Sequence, residues 1–400
     1  MTDAHSSSST QPQSSAASIQ SALPERYLTP ILLDDLRQKM VLLMGPRQVG
    51  KTTLAKALAV HFSAPTYLNY DIAADQAVIQ ARRWLPSSGY VVLDELHKMP
   101  QWKAYLKGVY DGKPATQALL VTGSARMDTF RQAGESLAGR YFSHCLFPFS
   151  VKELVSQEPN PVVALDALLR FGGFPEPLLR GNDAKRKRWQ KQYFTDLIRE
   201  DILEFSRVNE LRTMRLLLEM LRSRTGSALS YASLGRDLSI SPATARRYVD
   251  ILEALHIVFL IHPYHRNIAR ALGKAPKLYF YDAAYILGDE GARLENTVAL
   301  SLLKHVSYQL ETEGIEHSLH YVQTTSGKEV DFVISDEAGE LTHAIEVKYS
   351  DAKPSYALRE IAVSRPQTKA VQLVYHRNQA FATDGVEVHP AAAWLAGLKA

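Results

Sequence analysis

The sequence predicts an α/β fold built on a parallel sheet and continued by helical and mixed α/β segments. Three observations lead to this prediction. A short apolar run precedes a glycine-rich loop and an amphipathic helix, two further apolar runs end in polar residues, and the C-terminal segment alternates between strand and turn patterns. The chain has 400 residues, more than one hydrophobic core usually serves, so two or three domains are expected.

Composition places the chain among ordinary globular proteins, since 46% of its residues are hydrophobic and 22% are charged. Its richest apolar stretches, such as residues 257–261, are far shorter than the roughly 20 residues of a transmembrane helix. We therefore expect no membrane span. The lone Cys145 cannot form an internal disulfide, which fits a reducing compartment and excludes a cysteine-based metal cluster.

Residues 1–22 are expected to form a disordered tail. They include eight serines and one charged residue, Asp3, so they cannot bury enough apolar surface to offset the entropy lost on ordering. The first Lys or Arg is Arg26, which argues against a secretory signal and against an Arg-rich transit peptide. A cytoplasmic protein is the resulting expectation.

The most specific motif follows an apolar run at residues 41–44. It reads G-x-x-x-x-G-K-T and leads into a helical pattern at residues 54–58. Glycines let backbone amides curl around a phosphate, and the helix N-terminus directs its partial positive charge there. We predict an ATP site in which Lys51 reaches the β and γ phosphate oxygens and Thr52 binds Mg²⁺. The predicted loop residues are Gly45, Pro46, Arg47, Gln48, Val49, Gly50, Lys51, Thr52 and Thr53.

A second apolar run, residues 90–93, ends in two carboxylates, as a buried parallel strand of such a site should. Asp94 is expected to hold magnesium, directly or through water. Glu95 is expected to orient and deprotonate the water that attacks the phosphate. The alternative is a strand followed by an acidic helix cap, and the glycine-rich loop earlier in the chain weighs against it.

A third apolar run at residues 118–121 ends in Thr122, and Ser124 follows two positions later. Together with the loop and the acidic strand, this segment resembles an AAA+ ATPase domain over residues 28 to about 175. The prokaryotic group with a Thr-Gly-Ser strand end is the most similar. The resemblance implies that Thr122 or Ser124 is the sensor that hydrogen-bonds the γ-phosphate or the water, although an asparagine is usual there.

Two arginines are candidates for an arginine finger, which stabilises the charge on the transferring phosphate from a neighbouring subunit. They are Arg126 and Arg140. Either is equally explained as a surface salt-bridge residue. A finger requires a second copy of the chain, so a homo-oligomer is expected.

A helix-turn-helix followed by two strands is expected within residues 226–285. Helical patterns at 234–238 and 241–252 flank a tight turn, and Ser241 and Pro242 suit the N-cap and first position of the second helix. With the strands, the segment resembles a winged-helix domain. That resemblance implies a DNA partner that contacts the start of the second helix and the wing. The implied DNA-binding residues are Thr244, Arg246, Arg247 and Arg266.

The local distribution of charge agrees with a DNA partner, although the net charge of +4 is too small to indicate one by itself. Residues 254–281 contain no Asp or Glu. Residues 185–191 hold five cations, which a solvated helix face explains as well as phosphate contact does. The alternative for the wing is that its cations pack against the ATPase domain or between subunits.

Two alternating strands joined by a turn are expected in the C-terminal segment. Glu346 and Lys348 lie two positions apart and share a face, and the hairpin can bring Asp331 beside them. This arrangement resembles the PD-(D/E)xK nuclease core, with Val330 at the proline position. The resemblance implies magnesium ligands at Asp331 and Glu346, a weaker one at Glu295, and a catalytic Lys348 that stabilises the attacking hydroxide.

These patterns divide the chain into a tail (1–22), an AAA+ domain (23–175), a helical lid and linker (176–225), a winged helix (226–285) and a nuclease-like domain (286–400). The architecture resembles a prokaryotic family of AAA ATPases with a C-terminal domain of unknown function. It implies ATP hydrolysis with Mg²⁺, coupled to a DNA-associated module. Two alternatives stay open: a nucleotide-switched DNA-binding regulator without nuclease activity, and a protein-remodelling ATPase without a nucleic-acid role.

Overall fold

The computed structural model of the chain contains two sheets, one in its N-terminal and one in its C-terminal part. The expected tail and the candidates Ser124, Arg126 and Arg266 lie outside the described residues. The described ranges are 24–84, 86–123, 137–198, 208–265, 275–323, 329–350 and 352–400.

Five parallel strands form the N-terminal sheet, in the order β2-β3-β4-β1-β5. Every residue of the three central strands is buried, as parallel strands covered on both faces require. The three apolar runs of the sequence are these central strands, so the expectation of a parallel α/β sheet is confirmed. The strands are β1 (Met40–Met44), β2 (Thr66–Asn69), β3 (Tyr90–Asp94), β4 (Ala118–Thr122) and β5 (Tyr141–Cys145).

Helices pack on both faces of this sheet. Alternate residues of β1 point to opposite faces, so Leu43 joins the core that contains α1 and α2, and Leu42 joins the core that contains α3 and α4. The carboxyl ends of β1, β3 and β4 meet at one edge because the strands are parallel. The helices are α1 (Thr29–Gln38), α2 (Lys51–Leu58), α3 (Ala73–Ala81) and α4 (Trp102–Gly112).

A group of helices follows β5 and covers this edge. Two adjacent glycines after α6 allow this group to pack closely against neighbouring segments. A Cβ on Gly172, whose φ is +78°, would collide with the Asp282 carboxylate, and one on Gly173 would lie 2.8 Å from the carbonyl oxygen of Phe149. The helices are α5 (Val151–Leu154), α6 (Pro161–Phe171), α7 (Pro175–Arg180), α8 (Asp183–Leu197) and α9 (Val208–Arg222).

Two short helices and two strands occupy the segment expected to contain a helix-turn-helix. The Ser241 side chain caps the second helix by accepting a hydrogen bond from the Thr244 amide at 3.0 Å. The two strands pair antiparallel. The helices are α10 (Tyr231–Leu238) and α11 (Pro242–Ala254), and the strands are β6 (Val258–Pro263) and β7 (Lys277–Phe280).

The C-terminal sheet has the strand order β12-β13-β11-β10-β9-β8-β6-β7. The expected hairpin is present as β9 and β10, which pair antiparallel around a turn at residues 336–340. β6 pairs with β8 between His262 and His320, so the strands of the expected wing belong to the same sheet as the hairpin. The additional strands are β8 (Ser318–Gln323), β9 (Glu329–Ser335), β10 (Leu341–Lys348), β11 (Lys369–Val374), β12 (Phe381–Thr383) and β13 (Val386–Pro390).

One long helix packs against both the N-terminal and the C-terminal part of the chain. This helix, α12 (Glu290–Tyr308), packs against β7, β8 and β10 of the C-terminal sheet and against α6 of the N-terminal part. Two further helices are α13 (Tyr356–Ser364) and α14 (Ala391–Ala396). Within the described ranges, we find no helix whose length and apolar character would let it cross a membrane.

Candidate functional site

The glycine-rich loop at residues 45–52 joins the end of β1 to the start of α2. Gly45 and Gly50 have φ angles of +136° and +104°, in the region that side chains rarely adopt. A Cβ on Gly45 would also collide with the carbonyl oxygen of Leu146, which follows β5. Both backbone conformation and space therefore require glycine at the start of the loop.

Lys51 is buried inside this loop. Its Nζ donates hydrogen bonds to the carbonyl oxygens of Gly45 at 2.9 Å and Pro46 at 2.8 Å. Burial lowers the pKa of Lys51 to about 8, although the Glu95 and Asp94 carboxylates oppose this shift. The ammonium is thus held within the loop that the sequence predicts to bind phosphate.

The Asp94 carboxylate, at the end of β3, accepts several hydrogen bonds. Its Oδ2 accepts from Thr52 Oγ1 at 2.9 Å and from the Tyr67 hydroxyl, and its Oδ1 accepts from Thr122 Oγ1 and from the Glu95 amide. The structure therefore brings together the predicted residues of β3, β4 and the loop. Carboxylate and hydroxyl oxygens side by side are ligands that suit Mg²⁺.

Glu95 follows Asp94 in a left-handed conformation, with a φ of +56°. Its carboxylate lies 3.7 Å from His97 Nε2 and 3.6 Å from Lys98 Nζ. Burial raises the pKa of Glu95, while Lys98 and Lys51 act in the opposite direction. A carboxylate with a raised pKa is a stronger general base.

Two side chains from outside the motif contact the loop. Arg26 donates from Nη1 to the Val49 carbonyl oxygen at 3.0 Å and from Nε to the Glu153 carboxylate at 2.8 Å. From α8, Trp189 Nε1 donates to Gln48 Oε1 at 2.8 Å. The segment before α1 and the helices after β5 therefore hold the loop from two directions.

A cavity of about 310 Å³ lies beside Gly50 and the first turns of α2. This volume falls within the range of small-molecule sites, and the cavity is continuous with the phosphate loop. Its walls include Thr29, Thr53, Ala57, His61, Phe149 and Pro175.

The C-terminal hairpin brings the predicted carboxylates close to one another. On β9, Asp331 Oδ2 accepts a hydrogen bond from the Val347 amide of β10 at 2.8 Å. Lys348 Nζ lies 2.8 Å from Glu346 Oε1 on the same face of β10. Burial raises the pKa of Asp331, and the Glu346 carboxylate raises it further. Asp331 therefore lies beside the part of β10 that carries Glu346 and Lys348.

Glu295 reaches this cluster from α12. The Tyr279 hydroxyl donates to its Oε1 at 2.8 Å, and Lys277 Nζ lies 3.7 Å from the same oxygen. Burial raises the pKa of Glu295 to about 7, and the Asp331 carboxylate contributes in the same direction. No pattern in the sequence connects Lys277 or Tyr279 with Glu295.

In the part of the chain that the structure describes, no three or more His, Cys, Asp and Glu side chains are arranged to hold a metal ion. In the C-terminal cluster, Glu346 pairs with Lys348, and Glu295 is engaged by Tyr279 and Lys277. The metal-binding roles of Asp331, Glu346 and Glu295 and the catalytic role of Lys348 stay predictions.

The candidate DNA-binding residues lie at the start of α11. Arg246 and Arg247 are exposed, and the Arg247 guanidinium lies 5.6 Å from the ring centroid of Tyr248. Thr244 is half-buried, with its hydroxyl 2.8 Å from Ser241 Oγ. The two arginines therefore form an exposed cationic pair on the second helix.

The candidate finger Arg140 lies just before β5, at the edge of the sheet opposite the phosphate loop. The register places Tyr141 beside Met40 at the start of β1, whereas the loop follows the end of β1. Arg140 Nε pairs with Asp111 Oδ1 at 2.8 Å. Within one subunit, Arg140 is therefore a salt-bridge residue away from the loop, and its role toward a neighbour stays a prediction.

Comparison with known proteins relates these sites to a family. A family model described as an AAA domain matches residues 37–155, which include Lys51, Asp94 and Glu95. Two models described as domains of unknown function, DUF8612 and DUF4143, match residues 163–287 and 290–394.

Proteins of similar sequence occur in bacteria and archaea. Rv2008c of Mycobacterium tuberculosis and Mb2031c of Mycobacterium bovis are each 30% identical over 310 residues, which span 74% of this chain and 68% of the relative. The chain belongs to their family. MJ1544 of Methanocaldococcus jannaschii is 23% identical over 336 residues, 76% of this chain and 74% of that protein.

Solved structures show weaker likenesses. The Walker-type ATPase PABY2304 of Pyrococcus abyssi is 17% identical, with a TM-score of 0.41, and the match covers 64% of this chain and 93% of that one. A point variant of RuvB from Thermotoga maritima is also 17% identical, with a TM-score of 0.31 and coverage of 58% and 86%. The AAA match and the five-stranded parallel sheet identify this family member as a P-loop ATPase.

Several residues of the nucleotide site have no signal in the sequence. Arg26 and Trp189 lie far from the loop in the chain, and no periodic pattern connects them with it. Tyr67 stands on β2, beside β3, and only the strand order brings its hydroxyl to Asp94. Nothing in the sequence distinguishes these three residues from the other Arg and aromatic residues of the chain.

Proposed function

We propose that this ATPase hydrolyses ATP with Mg²⁺ at residues 45–52 and couples hydrolysis to DNA through α11 and the C-terminal hairpin. The observation that carries the catalytic part is the contact between Thr52 Oγ1 and Asp94 Oδ2 at 2.9 Å. It joins the loop hydroxyl to the carboxylate of a neighbouring strand, the oxygen pair expected to hold Mg²⁺. When bound, the cation supplies compensation for the phosphate charge.

The roles of the protein groups follow from their positions. Lys51 binds β and γ phosphate oxygens when it leaves the carbonyl groups of Gly45 and Pro46. Glu95 accepts the proton of the attacking water, and Thr122 positions that water or the γ-phosphate from the end of β4. The cavity beside Gly50 takes the nucleoside. A second copy of the chain supplies the arginine finger. Arg140 is the candidate that lies within the described residues.

Phosphate release in the presence of Mg²⁺ tests the catalytic site. We expect turnover to stop when EDTA removes the cation, and Lys51→Ala to abolish tight ATP binding because the loop then loses the ammonium that contacts the β and γ phosphates. Turnover that persists in EDTA, or undiminished ATP binding by Lys51→Ala, would overturn this assignment.

The DNA part of the proposal rests on the exposed pair Arg246 and Arg247 at the start of α11. The second helix of a helix-turn-helix meets base edges with its N-terminal residues, and cations there also contact phosphates. Replacing both arginines by alanine should weaken DNA binding and reduce its dependence on salt. Fluorescence anisotropy at several salt concentrations measures both quantities.

A matched control removes two exposed cations elsewhere. Arg37 on α1 and Lys107 on α4 are exposed, so their double alanine variant makes the same change in net charge outside α11. It should bind DNA as the unchanged protein does. If both double variants weaken DNA binding equally, the effect arises from net charge alone. The proposed interface at α11 is then rejected.

The C-terminal part of the proposal is a nuclease-like site around Asp331 and Glu346. Cleavage of several DNA forms with Mg²⁺ or Mn²⁺ should be lost in Asp331→Asn and Glu346→Gln. Glu337→Gln, an exposed carboxylate in the turn of the same hairpin, is the control and should cleave normally. Unchanged cleavage by both cluster variants would reject the site.

The remaining outcomes separate the alternatives. DNA binding without cleavage of any form supports the nucleotide-switched regulator and rejects the nuclease. An ATPase rate indifferent to every DNA form, with no salt-sensitive binding, supports the protein-remodelling ATPase and rejects the DNA proposal.

A further inference from the structure

A cavity of about 610 Å³ lies between α8, α9 and the segment that leads from β7 into α12. This volume falls within the range of small-molecule sites. The described residues of its walls include six Lys and Arg side chains and a single carboxylate, that of Glu219. None of these wall residues belongs to the phosphate loop or to the cavity beside Gly50. The six cations are Arg186, Lys187, Lys191, Arg215, Arg222 and Arg293.

Helical periodicity directs these side chains into the cavity. Along α8 the wall positions recur at 186–187, 190–191 and 194–195, and along α9 they recur at 215, 218–219 and 222. Positions three or four apart lie on one face of a helix. Lys185 and Arg188 belong to the same run of cations on α8, but they are exposed and do not line the cavity. Only part of the run therefore faces the cavity.

Two of the six cations are held by the protein itself. Arg222 donates from Nη1 to Glu219 Oε2 at 2.6 Å and from Nε to the Tyr285 carbonyl oxygen at 2.8 Å. Arg186 donates from Nη1 to Gln190 Oε1 at 3.0 Å. The Tyr285 hydroxyl donates to the other oxygen of Glu219 at 3.2 Å. The carboxylate that lines the cavity is therefore already engaged by Arg222 and Tyr285.

The other four cations have no ion pair and no side-chain hydrogen bond within the described ranges. They are Lys187, Lys191, Arg215 and Arg293. The Nε of Arg293 is also buried without a hydrogen-bond partner in this part of the chain, which is unfavourable for a polar group removed from water. Cations gathered around one cavity without a counter-charge also disfavour each other's charged form. An anion in the cavity relieves both effects.

We propose that this cavity binds a small molecule that carries two or more phosphate groups. Guanidinium groups donate paired hydrogen bonds to phosphate oxygens, and lysine ammonium groups add compact positive charges. Arg215 contributes from α9, Arg293 from α12, and the two lysines from α8. Unpaired cations that converge from three helices suit a compact, multiply charged anion. A nucleic-acid backbone is instead followed by cations along an extended groove.

The proposed site is separate from the phosphate loop but shares α8 with it. Trp189, which donates to Gln48 of the loop, lies between Lys187 and Lys191 in the chain. Its side chain leaves the helix on a different face from the wall positions. One helix therefore has cations at the cavity and an aromatic side chain at the loop. The proposal does not depend on the DNA-binding or nuclease roles.

Isothermal titration calorimetry of the full chain with inorganic tripolyphosphate, in the absence of divalent cations, measures binding at the cavity. Lys51→Ala supplies the background in which the phosphate loop does not contribute. We expect one tripolyphosphate to bind per chain in this background, and the Kd to rise with salt concentration because salt screens the ion pairs. Inorganic phosphate, which has a single phosphate group, should bind at least roughly tenfold more weakly.

Two double variants of α8 provide the comparison. Lys187→Ala/Lys191→Ala should weaken tripolyphosphate binding by roughly 10- to 100-fold, because charged hydrogen bonds to the anion are lost. Lys185→Ala/Arg188→Ala makes the same change in net charge on the same helix outside the cavity, so it should bind as the background does. Thermal unfolding should show both variants folded, since all four side chains are exposed.

A second substitution and a second measurement keep the test independent of the lysines and of Lys51→Ala. Arg293→Gln removes the guanidinium from α12 and should also weaken binding, by roughly tenfold or more. In the chain with Lys51 intact, Lys187→Ala/Lys191→Ala should bind one tripolyphosphate fewer than the unchanged protein. This difference is expected whether or not the phosphate loop binds the same probe.

Three results would overturn the inference. The first is no binding of tripolyphosphate in the Lys51→Ala background and no difference in the number bound when Lys51 is intact. The second is equal weakening by the two double variants, which attributes binding to net charge. The third is salt-sensitive binding of a single-stranded oligonucleotide that Lys187→Ala/Lys191→Ala abolishes, together with no binding of tripolyphosphate, which assigns these cations to a nucleic-acid strand.

Discussion

Glu153 and Lys304 form a buried ion pair that joins the ATPase part of the chain to α12. Their side chains are only 2% and 1% exposed. The other oxygen of Glu153 accepts from Arg26 Nε at 2.8 Å, and Arg26 also donates to the phosphate loop at Val49. Although burial opposes it, the two cations hold the pKa of Glu153 below its usual value.

Replacing Glu153 by alanine should destabilise the protein strongly. The variant leaves Arg26 and Lys304 buried without their shared carboxylate, and breaking a buried pair in this way costs about 3–5 kcal/mol. Urea unfolding, with the free energy of unfolding extrapolated to water, measures the loss.

The control is Glu176→Ala. Glu176 pairs with Arg180 at 3.2 Å across one turn of α7, and both side chains are largely exposed. An exposed pair of this kind contributes about 0.3–0.5 kcal/mol. Similar losses for the two variants would show that the buried pair is not a principal contact between the two parts.

Gly172→Ala should destabilise the protein more than Gly339→Ala. Both glycines have a positive φ, +78° and +77°, and the ψ of 176° at Gly172 lies in a backbone region that is essentially limited to glycine. A Cβ at residue 172 collides with Asp282, whereas nothing lies within 4 Å of one at residue 339. Overpacking adds about 1–3 kcal/mol at the first site.

Melting temperatures of both glycine variants and of the unchanged protein provide the measurement. An equal decrease in melting temperature would mean that the Asp282 side chain moves aside at little cost. The close approach of Gly172 to Asp282 would then not limit the packing at the end of α6.

ATP affinity should fall as the pH rises above about 8. Burial lowers the pKa of Lys51 to about 8, so the free protein carries the ammonium below this pH and loses it above. Bound phosphates require the charged form, so binding at higher pH takes up a proton, and the Kd rises up to roughly tenfold per pH unit. Titrations between about pH 7 and pH 9.5 measure the slope.

Lys51→Arg is the control for this slope, because a guanidinium stays protonated throughout the range. Its Kd can differ from that of the unchanged protein at every pH, but it should not show the rise above pH 8. A flat Kd in the unchanged protein would contradict a titrating Lys51.

Glu95→Gln should bind ATP and fail to turn it over. The amide keeps the size of the side chain but cannot accept a proton, and general-base catalysis contributes roughly 10²–10⁴-fold to a rate. Binding measurements and steady-state phosphate release distinguish the two effects. Equal turnover by the variant and the unchanged protein would refute Glu95 as the base.

Asp71→Asn is the matched control for this experiment. Lys98 lies 2.6 Å from Asp71 and 3.6 Å from Glu95, so both variants remove a negative charge beside the same lysine. Asp71 is predicted to have no role as a base, and its variant should keep most of the turnover. A comparable loss in Asp71→Asn would attribute the effect to the charge balance around Lys98.

Local sequence patterns determined the phosphate loop, the three central strands of the N-terminal sheet, the two helices that include α11, and the C-terminal hairpin. Each depends on neighbours in the chain: glycine spacing, an N-cap such as Ser241, or alternation along a strand. The pairing of Asp331 with the Glu346 strand could be expected because a short turn joins the two strands.

Only the tertiary structure decided which distant residues meet. Arg26 and Glu153 are 127 positions apart, and Trp189 and Gln48 are 141 positions apart, so no periodicity links them. The sharing of one sheet by β6 and β8 likewise depends on strand order and packing. These contacts arise because separate elements bury their apolar faces together, which patterns within a single element do not specify.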